Sequence, residues 1–421
     1  MELFGGVIPI TGITFFMFSI FAIIVAGFAL GRITIKGISL GDAGVFIMAL
    51  VFGCLFYTQL DAQLTVKTLL GSVSYTTQAL KIIENLGLIL FVTSVGFIAG
   101  PKFFGNFKKN FKSYVVLALV VILAGGLAAV GCIYFGRTVM GETNHEEFTA
   151  MIVGLLSGSL TSTPAFSAAK ATVADIYESA VSVGHGISYI FGVIGVVLFV
   201  QLVPKMTKAN MDVEREKLAA SSGAATEAKA KEGKKKVISI DGHGFAAFAL
   251  AAIVGTFVGM IKIPLTSAGL SGTCFSLTTT GGCLLTSLVF GHFNHIGPVS
   301  VMPKESTLKI FKELGLILFL VGAGIAGGAK FIELFQVSYF IYGMVMTVVP
   351  MIVGFFFAKY VLKLSLLNNL GSLTGAMTST PALGTLTNVA KTDDVAAAYA
   401  ATYPIALIAV VLVSQFLVIL F

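Results

Sequence analysis

Apolar stretches of roughly 17 to 25 residues, separated by short polar joints, run the length of the chain. In its first half they fall near 13–31, 39–57, 84–100, 113–135, 149–170 and 179–203, and the second half mirrors them. A helix rising about 1.5 Å per residue crosses a hydrocarbon core about 30 Å thick in about 20 residues. The pattern therefore predicts an all-α polytopic membrane protein. One stretch breaks the rhythm: residues 205–240 are polar, rich in Ala, Ser, Lys and Glu, and free of apolar periodicity. It reads as a solvated linker with a helical piece near 213–220.

The two halves are copies of one another. LKIIENLGLILF (80–91) matches LKIFKELGLILF (308–319) at nine of twelve positions, and the register continues through Gly96/Gly324, Gly100/Gly328 and Phe107/Phe335. A second block pairs GLLSGSLTSTPAF (154–166) with GSLTGAMTSTPAL (371–383), and Tyr189/Tyr403 and Gln201/Gln415 pair the last segments. Self-similarity at this spacing marks an internal repeat. The expected organisation is a membrane repeat at 1–204, a basic linker at 205–240 and a second membrane repeat at 241–421.

Loop charge orients the segments, because Lys and Arg accumulate in cytoplasmic loops. If every segment crosses, the better orientation places 17 of the 27 Lys and Arg inside but strands Lys102, Lys108, Lys109 and Lys112 outside. If each TSTP segment enters and leaves on one side and the N-terminus is external, the split becomes 21 inside against 6 outside, with the acidic GETNHEEF loop external. That threading leaves about five crossings per repeat. An odd number inverts one repeat relative to the other and brings the two TSTP segments to the midplane from opposite faces, as in secondary transporters. Both termini are then external and the linker cytoplasmic.

Composition agrees with a lipid environment. Of 421 residues 56% are hydrophobic and 47 are charged, about half the quarter-share usual in soluble proteins, while 36 Phe and 47 Gly suit lipid contact and close helix packing. The net charge of +7 resides in short loops and the linker, which favours a membrane surface over nucleic acid. Cys54, Cys132, Cys274 and Cys283 lie in or beside apolar segments, so neither a disulfide framework nor a metal site is expected. The N-terminal segment reads as a retained helix rather than a signal peptide.

The chemistry concentrates at the repeated TSTP. Thr161, Ser162, Thr163 and Pro164 precede a small-residue helix, and Thr378, Ser379, Thr380 and Pro381 occupy the matching place. Taken once, such a string is an ordinary N-cap followed by Pro. Placed inside an apolar segment, approached by small residues including Gly158 and Gly375, and present once per repeat, it points to a transporter site at a broken or re-entrant helix. Free backbone N–H groups, hydroxyls and the positive helix end suit a carboxylate. His185 is open between a site or proton-linked role and a packed structural histidine. Asp42 is expected at the cytosolic mouth. Lys170 and Lys391 read as flanking anchors, with attraction of anions at opposite mouths as the other reading, Lys81, Glu84, Lys309 and Glu313 as interfacial snorkelling residues, and His292 with His295 lack the partners a metal needs. No nucleophile–base pair or cofactor motif is present in the sequence, so an enzyme is not expected.

The repeated TSTPA blocks, their GLLSG and GSLTG approaches and the LGLILF helices resemble the aspartate:alanine exchanger family of bacterial antiporters over nearly all of both membrane halves. The resemblance implies exchange of small carboxylates or amino acids such as aspartate, alanine or succinate in a bacterial inner membrane, with external termini and a cytosolic central loop. The chain departs from many members in joining its halves by only about 36 residues instead of a large soluble insert. By analogy with inverted-repeat carriers, an elevator-type motion within a homodimer is expected. A sodium- or proton-coupled organic anion symporter is the alternative, and it requires a buried ion site that the sequence does not display.

Overall fold

The computed structural model describes residues 2–3, 8–35, 38–39, 41, 43–68, 71–105, 111–222, 240–264, 274–392 and 394–421. In the first half the helices are α1 (Gly12–Gly31), α2 (Ala43–Gln63), α3 (Thr76–Gly105), α4 (Phe111–Thr138), α5 (His145–Ser159), α6 (Thr163–Thr172) and α7 (Glu178–Met206). The linker contributes α8 (Met211–Ser222). The second half follows as α9 (Phe245–Gly259), α10 (Thr278–Phe293), α11 (Glu305–Gly328), the single turn α12 (Phe331–Leu334), α13 (Ser338–Tyr360), α14 (Leu366–Ala376), α15 (Thr380–Ala390) and α16 (Val395–Leu420). Eight of these are long and apolar enough to span a bilayer, and α9 is a shorter apolar helix. The chain is a multi-pass helical membrane protein. Its loops add short antiparallel ribbons that the hydrophobic pattern did not predict, such as Thr65–Thr68 with Gly71–Ser74.

The two halves pack reciprocally. Helix α2 lies on α11 and its counterpart α10 on α3; α6 lies on α16 and α15 on α7. The equivalent helices α3 and α11 meet each other where Gly87 and Gly315 bring the backbones together, with Leu80 and Glu84 beside Gly322 and Phe91 beside Gly315, so they run antiparallel. A Cβ on Gly53 would strike the Ile325 carbonyl and one on Gly291 the Phe97 carbonyl, and Phe97 and Ile325 are themselves equivalent. Small residues permit this closeness where lipid offers no hydrophobic drive to association.

Helices α5 and α7 lie side by side in the same direction, Gly154 against Val181 and Gly158 against His185. The same holds for α14 and α16, Gly371 against Val395 and Gly375 against Tyr399. Only residues 173–177 join α6 to α7, and only 391–394 join α15 to α16.

Two expectations are corrected. Helix α3 begins eight residues before the apolar stretch at 84, with Thr76 and Leu80 buried against protein while Thr77 and Gln78 stay exposed. The start of the linker is docked, not solvated: Leu218 is buried, Glu214 accepts the Leu366 N–H at 2.8 Å, and Arg215 donates to the Ala390 carbonyl at 3.0 Å. Helix α8 thus satisfies groups at the start of α14 and the end of α15, which a membrane face would otherwise leave to water. At the entry to α9 the Asp241 carboxylate accepts the backbone N–H groups of His243, Gly244, Phe245 and Ala246, led by Ala246, and its pKa is pushed down to about 2.

Candidate functional site

Each TSTP string is a sharp break between two helices. Helix α5 ends with Thr161 in the left-handed region at φ 50°, its N–H on the Gly158 carbonyl and the Ser162 N–H on the Ser157 carbonyl. Helix α14 ends identically, with Thr378 at φ 50°, its N–H on the Gly375 carbonyl and the Ser379 N–H on the Thr374 carbonyl. This is the Schellman arrangement, in which glycine is the usual left-handed residue. A β-branched threonine there is strained, and strain retained at both equivalent positions points to a use.

That use is visible between the breaks. The Thr161 hydroxyl donates to the Met377 carbonyl at 3.2 Å and the Thr378 hydroxyl to the Leu160 carbonyl at 2.6 Å. The two breaks therefore touch through reciprocal bonds, deep in the protein, with Thr161, Ser162, Thr163, Thr378 and Ser379 all buried. Ser162 accepts the Ala165 N–H as the N-cap of α6, and Pro164 has no N–H to offer.

The supply of free donors is thus smaller than the sequence implied. Thr161 and Ser162 are committed to structure, and what remains in the first break is the hydroxyl and N–H of Thr163, which no hydrogen bond engages among the described residues. In the second break the Ser379 hydroxyl is fully buried and has no partner among the described residues. The side chains of Thr380 and Pro381, and the whole of Asp42, lie outside the described residues. Thr280, the repeat counterpart of Asp42, is buried and bonded to Ser167 at 2.8 Å.

The secondary candidates separate into different roles. Gly158 and Gly375 allow α5 and α14 to approach α7 and α16, since a Cβ on either would strike the neighbouring helix. His185 is buried, bonded through Nδ1 to Ser157 at 2.8 Å and stacked on Phe166 with centroids 4.1 Å apart, while its Nε2 has no partner among the described residues. Lys391 caps α15, exposed and with φ 53°.

The anchoring role of Lys170 and the snorkelling role of Glu84 are overturned. Lys170 is 4% exposed and Glu84 8%, and they form an ion pair at 2.7 Å between α6 and α3. Each side chain is amphipathic and sits near an apolar segment's edge, so sequence favoured the interface; helix packing instead brings the two opposite charges together. Among the described residues no group of three His, Cys, Asp or Glu converges to hold a metal.

Buried helix breaks meeting inside a bundle of apolar spans define a membrane transport protein. The chain belongs to the Asp-Al_Ex family, the predicted permease membrane region, which it matches over residues 19–205 and 247–419. It is 25% identical to an uncharacterized transporter of Bacteroides fragilis, over 94% of this chain and 97% of that protein, and equally to one of Bacteroides thetaiotaomicron. It is 22% identical to an uncharacterized transporter of Desulfotalea psychrophila, over 96% of each. The first alignment runs over 552 positions against 421 residues here, so at least 131 positions have no residue in this chain.

Proposed function

We propose that this protein is a secondary transporter that exchanges small carboxylates or amino acids of the aspartate, alanine and succinate kind across a bacterial inner membrane. The observation that carries the reading is the pair of reciprocal bonds between the breaks, with Thr163 and the Ser379 hydroxyl left unengaged beside them. Such groups at helix starts favour a carboxylate without fixing a cation in the membrane. Thr161, Ser162, Pro164, Thr378 and Pro381 shape the site; Thr163, Ser379 and Thr380 contact substrate. The test is uptake of radiolabelled aspartate, alanine and succinate by the purified protein in liposomes. Saturable uptake of at least one supports the reading, and uptake of none, with the protein folded and inserted, defeats it.

The halves are inverted repeats and each broken segment is a re-entrant hairpin. Support comes from the antiparallel α3 and α11 and from the parallel α5 and α7 with so short a joint after α6. Sidedness is supported by loop grouping: Arg137 donates to Phe421 and His145 carbonyls, gathering segments that charge assigns outside, while α8 joins the ends of α14 and α15 inside. Single cysteines at Ser221 and Thr143 should label only from the cytosol and only from outside, respectively; external labelling at Ser221 in intact cells contradicts the inversion.

The hairpins with their packed helices form the moving block of an elevator, and two copies of the chain form the carrier. These rest on the behaviour of inverted-repeat carriers. Light scattering of the purified protein should give the mass of a dimer, and a monomer active in transport would remove that part.

A further inference from the structure

The helix breaks make no use of the buried charges nearby. Lys170 Nζ lies 2.7 Å from Glu84 Oε1 and 3.8 Å from Glu178 Oε2; Glu178 Oε1 lies 3.1 Å from Lys81, which also holds Asp175 at 3.3 Å. Side-chain exposure falls along this row from 86% at Asp175 to 37% at Lys81, 20% at Glu178, 10% at Glu84 and 5% at Lys170. A cavity of about 110 Å³ follows it, lined by Lys81, Glu84, Asn85, Ser167, Lys170 and Glu178. At about 30 Å³ per water that is room for three or four waters or one small solute.

Three features separate this cluster from ordinary architectural pairing. The repeat register places Lys312 opposite Glu84 and Thr387 opposite Lys170, so the pair exists in one half only, although α6 on α16 has its counterpart in α15 on α7. Its three carboxylates outnumber its two ammonium groups, so an added anion enters against charge. The row also leads toward the break: Lys170 lies 6.0 Å over the Phe166 ring, Phe166 stacks on His185, and His185 bonds to Ser157 just before the break.

We propose that this cavity is an entry subsite for a carboxylate, in which the incoming carboxylate replaces Glu84 on Lys170 and Glu84 takes one proton from solvent. This rests on the reading of the chain as a carboxylate carrier. The only covalent change is the new O–H bond on Glu84; the substrate stays anionic and Lys170 stays an ammonium. A carboxylate left alone in a buried site is costly, and a proton neutralises it where Lys170 no longer does. The charged groups facing Glu84 are Lys170 from α6, Glu178 from α7 and Lys81 on its own helix. Helix α11 presents Gly322, more than two turns from Lys312 and Glu313, while α9 and α16 carry no charged residue within their helices and His292 of α10 follows Gly291, which packs at Phe97.

The experiment is calorimetric titration of the purified protein in detergent at pH 7 with aspartate, alanine and succinate, in two buffers of different ionisation enthalpy. The expected result is uptake of about one proton per carboxylate bound. Glu84→Gln should remove the proton uptake and bind several-fold more tightly, because no side-chain carboxylate then competes for Lys170. Lys170→Met should weaken binding roughly tenfold, the loss of one charge-assisted contact. If either single variant fails to fold, the Glu84→Gln/Lys170→Gln pair, which leaves no lone charge, should bind weakly and without proton uptake. Binding to the unaltered protein with no proton uptake, or uptake persisting in Glu84→Gln, overturns the inference and leaves the carrier reading standing. Absence of binding by all three solutes overturns both.

Discussion

Removing the Thr163 hydroxyl raises the substrate concentration for half-maximal transport roughly tenfold, the loss of about 1.5 kcal/mol expected for a hydrogen bond to a charged group. Thr163→Val preserves shape while deleting the donor, and Thr163 is the hydroxyl of its break that structure leaves uncommitted. Thr380→Val should act to the same extent, since the repeat gives it the same place. Together the two should cost roughly a hundredfold if each supplies one end of the site independently. Pro164→Ala changes stiffness instead of a donor and should matter less. Unchanged half-saturation in both valine variants, at normal expression, would reduce the TSTP strings to helix caps.

A second large effect is structural. Gly158→Leu should lower the melting temperature by roughly 1 to 3 °C, an overpacking cost of about 1–3 kcal/mol spread over a chain of this size. A Cβ there meets the Ser188 hydroxyl and the His185 carbonyl of α7, so the two helices would have to move apart. Gly375→Leu meets the Thr402 hydroxyl and the Tyr399 carbonyl and should behave alike. Gly131→Leu has open space within 4 Å and serves as the tolerated comparison. Thermal unfolding in detergent that ranks all three alike would contradict the close approach of α5 to α7 and of α14 to α16.

Much of this geometry was legible in the residues. The offset of 228 that aligns Gly87 with Gly315 is also a contact between α3 and α11, which meet at equivalent residues. The TSTP breaks were readable because Ser at the cap and Pro after it announce a helix start inside an apolar run. Their mutual bonding was not, since a left-handed threonine has no local sequence signal and its hydroxyl partner lies more than 200 residues away. Glu84 and Lys170 were misread for a related reason. A charge at the edge of an apolar run is compatible with headgroup or with a partner, and only the packing of α3 against α6 decides. The docking of α8 escaped because Glu214 and Arg215 serve helix ends of the other half, whatever the polarity of the linker around them.

The bonds across the breaks bear directly on the proposed exchange. A site whose remaining donors are buried is costly to carry empty through a dry, closed state, and a bound carboxylate removes that cost. Loaded passage should therefore far outpace empty return. The decisive measurement is radiolabelled substrate entry into proteoliposomes preloaded with unlabelled aspartate, alanine or succinate, compared with empty ones, at equal pH and sodium on both sides. The account predicts much faster entry into the preloaded vesicles. Equal entry into empty vesicles, driven by an imposed sodium or proton gradient, would contradict it.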